Sequence, residues 1–264
     1  MINFFAGRKI LQPLFQLLYK LSVYGMNYNR SGLFSKTGEI LVLKYAQKKL
    51  SATKNRVLFD VGGNRGDYSL AMAKVFHRNS DQIYCIEPSP EKFAVIEKNT
   101  AGKNISSFNI GFGDERSEQT LYGPGAFSGL SSVYKRRLDH AGITMNHEER
   151  VKLQTLDSFC LENEISRIDF LKLDIEGHEY KCLLGAKGML ENNRIKFLQF
   201  EFGGSNIDSR TYFQDFWYLL HDRFNIYRIV HDGLVHIKRY NESLEIFKNI
   251  NFLAELKPTG SITA

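Results

Sequence analysis

Three closely spaced glycines follow an apolar run and could bring the backbone close to a ligand. Gly62, Gly63 and Gly66 come directly after residues 56–61, which read as a buried strand that carries Asp60. Glycine permits a sharp turn and leaves room for a bulky group. The backbone amides that open a following helix favour a phosphate or a carboxylate. This pattern predicts a nucleotide-type ligand at the end of the first strand.

The spacing of the turn separates classes of nucleotide site. Dinucleotide folds use the spacing G-x-G-x-x-G, which this turn lacks. P-loops need a Lys-Ser/Thr pair after their glycines, and this turn lacks that pair as well. Asp60, Gly62, Asn64 and Gly66 instead match the D-x-G-x-N-x-G arrangement of class I methyltransferases, which use S-adenosylmethionine. Glu87 ends the second apolar run, where a carboxylate can accept both ribose hydroxyls of a bound adenosine. A purely structural acid at a strand end is the alternative.

Further acids follow the third and fourth predicted strands. Asp114 is placed to hold an adenine amino group, and a turn-capping role is equally open. Asp174, Glu176 and His178 follow the fourth strand. An aliphatic hydroxyl is a poor nucleophile, so a general base accelerates its methylation, typically by about 10²–10⁴-fold. We predict that Asp174 and Glu176 are the polar centre, one as the base and the other as a contact to substrate or cofactor, with His178 as a third candidate. The alternative role of Glu176 is to cap the next helix.

The acidic residues at these strand ends could also bind a metal ion. Glu201 closes the fifth predicted strand, and together with Asp174 it could hold a divalent cation, since carboxylates suit magnesium. Because no second carboxylate or asparagine adjoins Glu201, we predict no metal site. Ser131 and Ser132 lie in a long excursion over residues 123–150, and both an acceptor-pocket role and a turn role are open for them.

The elements that must position these residues alternate between strand and helix. Such alternation argues for a parallel sheet covered on both faces. Two alternating runs around Asp232-Gly233 predict an antiparallel hairpin near the end. We therefore predict an α/β, Rossmann-like fold with a mostly parallel seven-stranded sheet, an antiparallel terminal hairpin and helices on both faces. The predicted strands are 56–61, 82–86, 105–110, 168–175 and 195–202, and the predicted helices are 38–50, 67–76, 90–100, 178–190 and 212–221.

The charge of the 264-residue chain is concentrated in its first part. The net charge is +6, and residues 1–38 contain five basic side chains and no acidic one. The remaining 226 residues carry 30 basic and 29 acidic side chains, so we predict no nucleic-acid partner. Three widely spaced cysteines without a metal-ligand pattern suggest reduced thiols and a cytoplasmic protein.

The N-terminal segment combines an apolar face with basic residues. Its apolar stretches are cut by Arg8, Lys9, Pro13 and Lys20, so none approaches the roughly 20 apolar residues of a spanning helix. We expect no secretory signal, because no small-residue cleavage site follows. We predict either a helix on the anionic inner membrane surface, through residues 1–35, or a helix packed on the domain or on a second subunit of an oligomer. The apolar face consists of Ile10, Leu11, Leu14, Phe15, Leu17, Leu18 and Leu21.

Five stretches of the sequence together resemble the FkbM family of S-adenosylmethionine-dependent methyltransferases. They are "FDVGGNRGDYS", "IEPSPEKF", "LQTLDSF", "FLKLDIEGHEYKCLLGA" and "INFLAEL". The resemblance covers residues 57–256, and "LKLDIEGHE" is its most specific part. It implies a Rossmann-like class I methyltransferase fold and O-methylation, commonly of sugar or natural-product hydroxyls. Gly63 stands where alanine is common in the family.

With this resemblance, residues 51–264 are predicted to be the methyltransferase domain and residues 1–50 a separate helical segment. We expect an O-methyltransferase that modifies a hydroxyl of a carbohydrate or glycolipid, of the surface polysaccharide type. The alternatives are a natural-product or other small-molecule acceptor, a nicotinamide-dependent oxidoreductase, and a membrane-associated binding module without activity.

Overall fold

A mixed eight-stranded sheet lies at the centre of the computed structural model, which describes residues 6–28 and 37–258. The strands are β1 (Val57–Val61), β2 (Gln82–Ile86), β3 (Ile105–Phe108), β4 (Gly111–Phe112), β5 (Ser117–Gly123), β6 (His147–Gln154), β7 (Ile168–Leu173), β8 (Ile195–Phe202), β9 (Phe224–Val230), β10 (Gly233–Ile237) and β11 (Ile250–Leu256). The large sheet has the order β10-β9-β11-β8-β7-β1-β2-β3, and a small sheet has the order β4-β6-β5.

Helices connect the strands of the large sheet. The α-helices are α1 (Gln12–Gly25), α2 (Glu39–Lys49), α3 (Asp67–Val75), α4 (Pro90–Thr100), α5 (Leu156–Glu162), α6 (Glu179–Leu184), α7 (Lys187–Glu191), α8 (Ser205–Ser209) and α9 (Phe213–Leu220). Short 3-10 helices cover Lys9–Leu11, Asp139–Ala141 and Glu242–Leu244. Ser89 begins α4 as its N-cap, and its side chain accepts a hydrogen bond from the Lys92 amide.

The strand order reverses between β1 and β7. The chain runs from β1 to β2 and β3 on one side and then continues with β7 and β8 on the other. Val61 pairs in parallel with Ile86 of β2 and with Leu173 of β7, so the carboxyl ends of these strands lie side by side. Open α/β sheets bind their ligands in the crevice at such a reversal. The topology therefore places the predicted site residues at one edge.

The predicted α/β fold class is confirmed, but the sheet has eight strands and not seven. The predicted hairpin is present as the antiparallel pair β9 and β10. The last strand, β11, lies between β8 and β9 and is antiparallel to both. Phe252, Leu253 and Ala254 are fully buried there, which explains the apolar run at the end of the sequence.

Two local expectations differ from the structure. The single helix predicted for 178–190 is two helices, because Gly185 packs so tightly that a Cβ built on it would lie 2.0 Å from the Gly113 carbonyl oxygen. Asp157 then accepts hydrogen bonds from the amides of Gly188 and Met189 and begins α7. Residues 123–150 were expected to be an irregular excursion, but β6 starts within them at His147 and pairs with β5.

The first two helices differ in burial. Val42, Leu43 and Ala46 of α2 are completely buried against one face of the large sheet. By contrast, Val23 is the one buried residue that α1 contributes among those described. Across residues 6–28 and 37–258, no helix has both the length and the apolar character needed to cross a bilayer.

Candidate active site

The turn between β1 and α3 lies against the end of β7, and its glycines are required by this close approach. Gly62 has a φ of +86°, and a Cβ built on it would lie 1.9 Å from the Asp174 carbonyl oxygen. At Gly63 a Cβ would lie 2.4 Å from the Cys85 sulfur, and Gly66, with a φ of +83°, precedes α3. The backbone at the end of β1 is thus fixed against the neighbouring strand ends.

Glu87 holds the same turn from the other side. The backbone amides of Asn64 and Ser89 donate to its two carboxylate oxygens, at 2.8 and 2.9 Å. The side chain is buried, and burial raises the pKa of Glu87, while the nearby Lys92 opposes this rise. Glu87 and Asn64 both line the cleft beside the turn. The structure therefore brings these two predicted cofactor contacts together.

Asp60 lies beneath the turn and is fully buried. It accepts a hydrogen bond from the Ser69 hydroxyl at 2.7 Å. The buried ammonium of Lys172 lies 3.6 Å from Asp60 Oδ1 and 3.0 Å from Asp174 Oδ2, and it also lies over the Tyr68 ring. Burial lowers the pKa of Lys172, but the two carboxylates outweigh this effect and raise it above its ordinary value. Asp60 is therefore paired with a buried cation that also reaches Asp174.

Asp174 and Glu176 emerge at the end of β7, as predicted from their spacing. Asp174 is about one-third exposed, whereas Glu176 is buried and its backbone is left-handed, with a φ of +53°. Arg136 donates to Glu176 Oε2 at 2.5 Å. Burial and the charge of Asp174 raise the pKa of Glu176 to about 7, against the influence of Arg136. A carboxyl group with this pKa can gain or lose a proton near neutral pH.

The turn after β7 is shaped by Glu179. Its two carboxylate oxygens accept hydrogen bonds from the amides of Ile175 and Gly177, at 2.8 and 2.9 Å. Burial raises the pKa of Glu179 to about 8. Gly177 has a φ of +100°, and a Cβ built on it would lie 2.9 Å from the Ser205 carbonyl oxygen. Glu179 thus fixes the turn before α6, and among the described residues no side chain caps the first turn of that helix.

His178 lines the cleft and contacts Tyr134. Its Nδ1 lies 3.0 Å from the tyrosine hydroxyl, and its Nε2 is buried without a hydrogen-bond partner among the described residues. Burial lowers the pKa of His178 to about 4. The imidazole is therefore neutral at pH 7.

Asp114 is not among the residues that line the cleft, although it interacts electrostatically with His178, which is one of them. Its carboxylate is about one-third exposed and accepts a hydrogen bond from Lys181 at 2.6 Å. Burial opposes the effect, but this lysine lowers the pKa of Asp114 below its ordinary value. The structure does not bring Asp114 together with Glu87 and Asn64, so an adenine contact remains a prediction.

The cleft itself combines polar and apolar walls. Asn64 Oδ1 is buried and has no hydrogen-bond partner within the described residues. An adenosyl group likewise has a polar and an apolar part. Its ribose hydroxyls need hydrogen-bond acceptors, and its adenine ring needs apolar contacts. The residues present therefore fit S-adenosylmethionine. The cleft is lined by Val61, Gly62, Asn64, Glu87, Pro88, Lys92, Gly111, Phe112, Leu121, Gly129, Ser131, Val133, Leu153, Asp174, Ile175, Glu176 and His178.

A second pocket adjoins the cleft, and the two share Asn64, Gly129, Asp174 and Glu176 as lining residues. Its other walls combine several side-chain oxygen atoms with the apolar residues Leu130 and Ile250. Glu201, on β8, makes no hydrogen bond or ion pair within the described part of the chain, and its Oε2 is buried. The remaining lining residues are Asn27, Thr37, Glu39, Leu130, Asn249, Ile250 and Asn251.

Sequence reasoning missed several residues of this site. Lys172 carried a usable signal, because a lysine inside an otherwise apolar strand must be paired if it is buried. Arg136 gave no signal, since it lies in the excursion and reaches Glu176 only in the folded chain. Asn27 and Glu39 were assigned to a separate segment, yet both line the second pocket. Ser131 lines the cleft, and Ser132 donates to the Glu176 carbonyl oxygen at 2.7 Å.

A doubly wound sheet with a glycine turn after its first strand and a carboxylate after its second is a nucleotide-binding arrangement, and class I methyltransferases have it. The family model described as "Methyltransferase FkbM domain" matches residues 60–227. The chain belongs to this family. Its domain is therefore a methyltransferase with S-adenosylmethionine as its cofactor, and the predicted enzyme class and cofactor are confirmed.

Two curated proteins resemble the chain over part of its length. "Methyltransferase 1" of Beauveria bassiana is 26% identical over 144 residues, which are 48% of this chain and 57% of that protein. The AMB antimetabolite synthetase AmbE of Pseudomonas aeruginosa is 29% identical over 196 residues, which are 62% of this chain and 9% of that protein. The chain therefore spans just over half of the first relative and a small part of the second.

Solved structures of methyltransferases also resemble the chain. The FkbM methyltransferase of Methylobacillus flagellatus KT is 16% identical, with a TM-score of 0.40, and the match covers 75% of this chain and 43% of that one. The plantazolicin methyltransferase BpumL, solved in complex with SAH, is 11% identical, with a TM-score of 0.46, and the match covers 90% of this chain and 91% of that one.

Proposed function

We propose that the protein is an O-methyltransferase that modifies a hydroxyl of a carbohydrate or glycolipid, of the surface polysaccharide type. The observation that carries this proposal is the second pocket, whose walls hold carboxylates and amides beside the cofactor cleft. Carboxylates are acceptors only, and the hydroxyls of a sugar offer the donors that they need. A largely apolar acceptor would leave Glu201 and the Asn27 amide oxygen without partners.

The proposed mechanism assigns positioning and proton removal to this chain. The Gly62 turn, Asn64 and Glu87 hold the cofactor, which supplies an electrophilic methyl group. An acceptor hydroxyl in the second pocket would lie beside Asp174 and Glu176, one of which would take its proton as the oxygen–methyl bond forms and the methyl–sulfur bond breaks, with S-adenosylhomocysteine as the leaving group. His178 is neutral and is the third candidate base. Alignment of the two reactants supplies much of the rate, up to about 7–11 kcal/mol of barrier in favourable cases.

The test of this function is transfer of a labelled methyl group from S-adenosylmethionine to a panel of oligosaccharides and glycolipids. We expect label on a carbohydrate hydroxyl with the wild type, and loss of transfer with Asp174→Asn. Mass spectrometry of surface glycans, with and without the active protein, should show the mass of one added methylene group. Label found only on non-carbohydrate small molecules would establish the natural-product alternative instead.

We also propose that α1 contacts a membrane surface. Its leucines are about half exposed, and Arg8, Lys9 and Lys20 accompany them without any acidic residue before Glu39. An apolar helix face with basic neighbours binds anionic lipid through buried area and charge together. The exposed apolar residues of this segment include Ile10, Leu14, Leu17, Leu18 and Leu21.

Vesicle sedimentation tests the membrane contact. The wild type should bind vesicles that contain anionic lipid more tightly than neutral ones. The double substitution Leu17→Gln and Leu21→Gln should weaken binding at least about tenfold, since each buried leucine contributes about 1.5–3 kcal/mol. Tyr218→Gln is the matched control, because this exposed residue lies on α9. Binding that is the same for the double variant, or for neutral vesicles, would contradict the proposal.

A further inference from the structure

Three carboxylates meet where the cofactor cleft joins the second pocket. One oxygen from each of Asp174, Glu176 and Glu201 lies within 4.8 Å of the others. Asp174 and Glu176 follow β7, while Glu201 belongs to the neighbouring parallel strand β8. The convergence is therefore a property of the sheet topology, because the carboxyl ends of adjacent parallel strands meet at one edge.

The basic groups of the described chain do not balance these charges. Lys172 pairs with Asp174, and Arg136 pairs with Glu176. Each of these pairs occupies one oxygen, and the second oxygen of each carboxylate makes no hydrogen bond within residues 6–28 and 37–258. Glu201 has neither a hydrogen bond nor an ion pair in the same ranges, and Lys172 acts on it only from beyond contact distance. One oxygen of Asp174, one of Glu176 and both oxygens of Glu201 thus lack a hydrogen-bond donor among the described residues.

The charge of the bound cofactor does not remove this imbalance at Glu201. Asp174 and Glu176 line the cofactor cleft, whereas Glu201 lines only the second pocket. Glu39 and Glu179 add further negative charge around the cluster. Such a site is stabilised either by a proton or by a bound cation.

Asn27 is a further polar residue in the wall of the same pocket. Asn27 is 6% exposed and lines the pocket, and its Oδ1 is buried without a hydrogen-bond partner among the described residues. Its amide nitrogen is already used, since it donates to the carbonyl oxygens of Thr37 and Ile229, at 3.1 and 3.2 Å. Amide and carboxylate oxygens are the ligands that hard divalent cations prefer.

We propose that Asp174, Glu176 and Glu201 bind a hard divalent cation, of the Mg²⁺ or Mn²⁺ type. The three carboxylates supply the protein ligands, and the remaining positions are open to water or to hydroxyls of the acceptor. A cation there lowers the pKa of a hydroxyl that it binds and so assists methylation. This inference goes beyond the proposed function, because binding of the cation requires no acceptor.

Titration of the full chain with Mn²⁺, followed by electron paramagnetic resonance of the free ion, tests the site directly. We expect one Mn²⁺ per chain, displaced by excess Mg²⁺. Glu201→Gln should weaken binding at least about tenfold, as loss of one charged ligand does. Glu118→Gln, an exposed acid on β5, is the matched control and should bind as the wild type does. Absence of binding at millimolar Mn²⁺, or equal affinity in the Glu201→Gln variant, would overturn the proposal.

Two further measurements separate loss of a metal ligand from loss of folding and from loss of cofactor binding. Glu201→Gln removes a carboxyl group that has no hydrogen bond or ion pair among the described residues, so without metal it should melt at the same or a higher temperature than the wild type. Weaker Mn²⁺ binding by a folded variant is then a ligand effect. Calorimetric titration with S-adenosylmethionine separates the two hypotheses. A chain that binds the cofactor but no Mn²⁺ refutes the cation site alone, whereas failure to bind the cofactor refutes the proposed function.

Discussion

At the scale of single residues, Lys172 is the buried cation that connects two carboxylates of the site. Its ammonium lies between Asp60 and Asp174, one beneath the glycine turn and the other at the edge of the cleft. A buried ion pair adds little net stability, but removal of one partner leaves an uncompensated buried charge. Loss of Lys172 would therefore leave the fully buried Asp60 without its cation.

Replacement of Lys172 by methionine keeps the volume of the side chain and removes its charge. We expect the free energy of unfolding to fall by about 3–5 kcal/mol, because Asp60 and Asp174 lose their buried partner. Urea denaturation measures this loss, and Lys187→Met on exposed α7 should change stability by no more than about 0.5 kcal/mol. A Lys172→Met variant as stable as the wild type would show that the two acids are protonated or otherwise compensated.

Glu87 has two roles at once, because it accepts two backbone amides and lines the cleft. Glu87→Ala should weaken binding of S-adenosylmethionine about 10–100-fold, since charged hydrogen bonds contribute about 1.5–3 kcal/mol. Calorimetric titration gives the affinity, with Glu91→Ala as a control because this exposed acid lies on the same helix, α4. An unchanged dissociation constant would remove Glu87 from the cofactor site.

At the scale of elements, two turns make the site. The β1–α3 turn depends on Gly62, and the turn after β7 depends on Gly177 and on the two amides held by Glu179. Both glycines have positive φ angles, where a side chain would be strained and would also meet backbone oxygen. The positions of the two turns that form the cleft therefore depend on close backbone contacts between neighbouring strand ends.

Gly62→Ala tests this dependence on close backbone contact. The new Cβ would lie 1.9 Å from the Asp174 carbonyl oxygen, so the turn must move away from β7. We expect at least about a tenfold loss of cofactor affinity, because a displacement near 1 Å can cost that much or more. The matched control is Gly125→Ala, since a Cβ there meets nothing within 4 Å. Equal affinity of both variants for S-adenosylmethionine would contradict the assignment of the turn.

At the scale of the whole molecule, the buried carboxylates give stability an unusual dependence on pH. Burial raises the pKa of Glu176 to about 7 and that of Glu179 to about 8, whereas an unfolded glutamate titrates near 4.3. Between these limits the folded state binds more protons than the unfolded state, so stability falls as pH rises. His178 has the opposite effect, because burial lowers its pKa to about 4, but that effect is complete by about pH 7.5, one unit above the pKa of an unfolded histidine.

We therefore expect the free energy of unfolding to decrease between pH 6.5 and 8.5, by on the order of 1 kcal/mol for each raised carboxyl group. Denaturation in a metal-free buffer across this range measures the slope. The slope should be smaller in Glu176→Gln, which removes one of the two titrating groups. Stability that rises with pH in this window would show that these carboxyls are already ionised near neutral pH.

Sequence reasoning located most of the strand-end chemistry. The positions of Asn64, Glu87, Asp174 and Glu176 followed from where apolar runs stop, because parallel strands end at a common edge. Long-range partners could not be found in this way. Arg136 reaches Glu176 across 40 positions, and Gln199 donates to Glu39 across 160.

The sequence by itself determined the alternation of strand and helix, the glycine turn and the family resemblance, because each depends on local spacing of residue types. Tertiary structure alone decided that β11 lies inside the sheet and that Arg136 pairs with Glu176. It also decided that residues before the family domain, among them Asn27 and Glu39, help to build the second pocket. The physical reason is that strand order and side-chain convergence depend on packing between segments far apart in the chain, which no local pattern encodes.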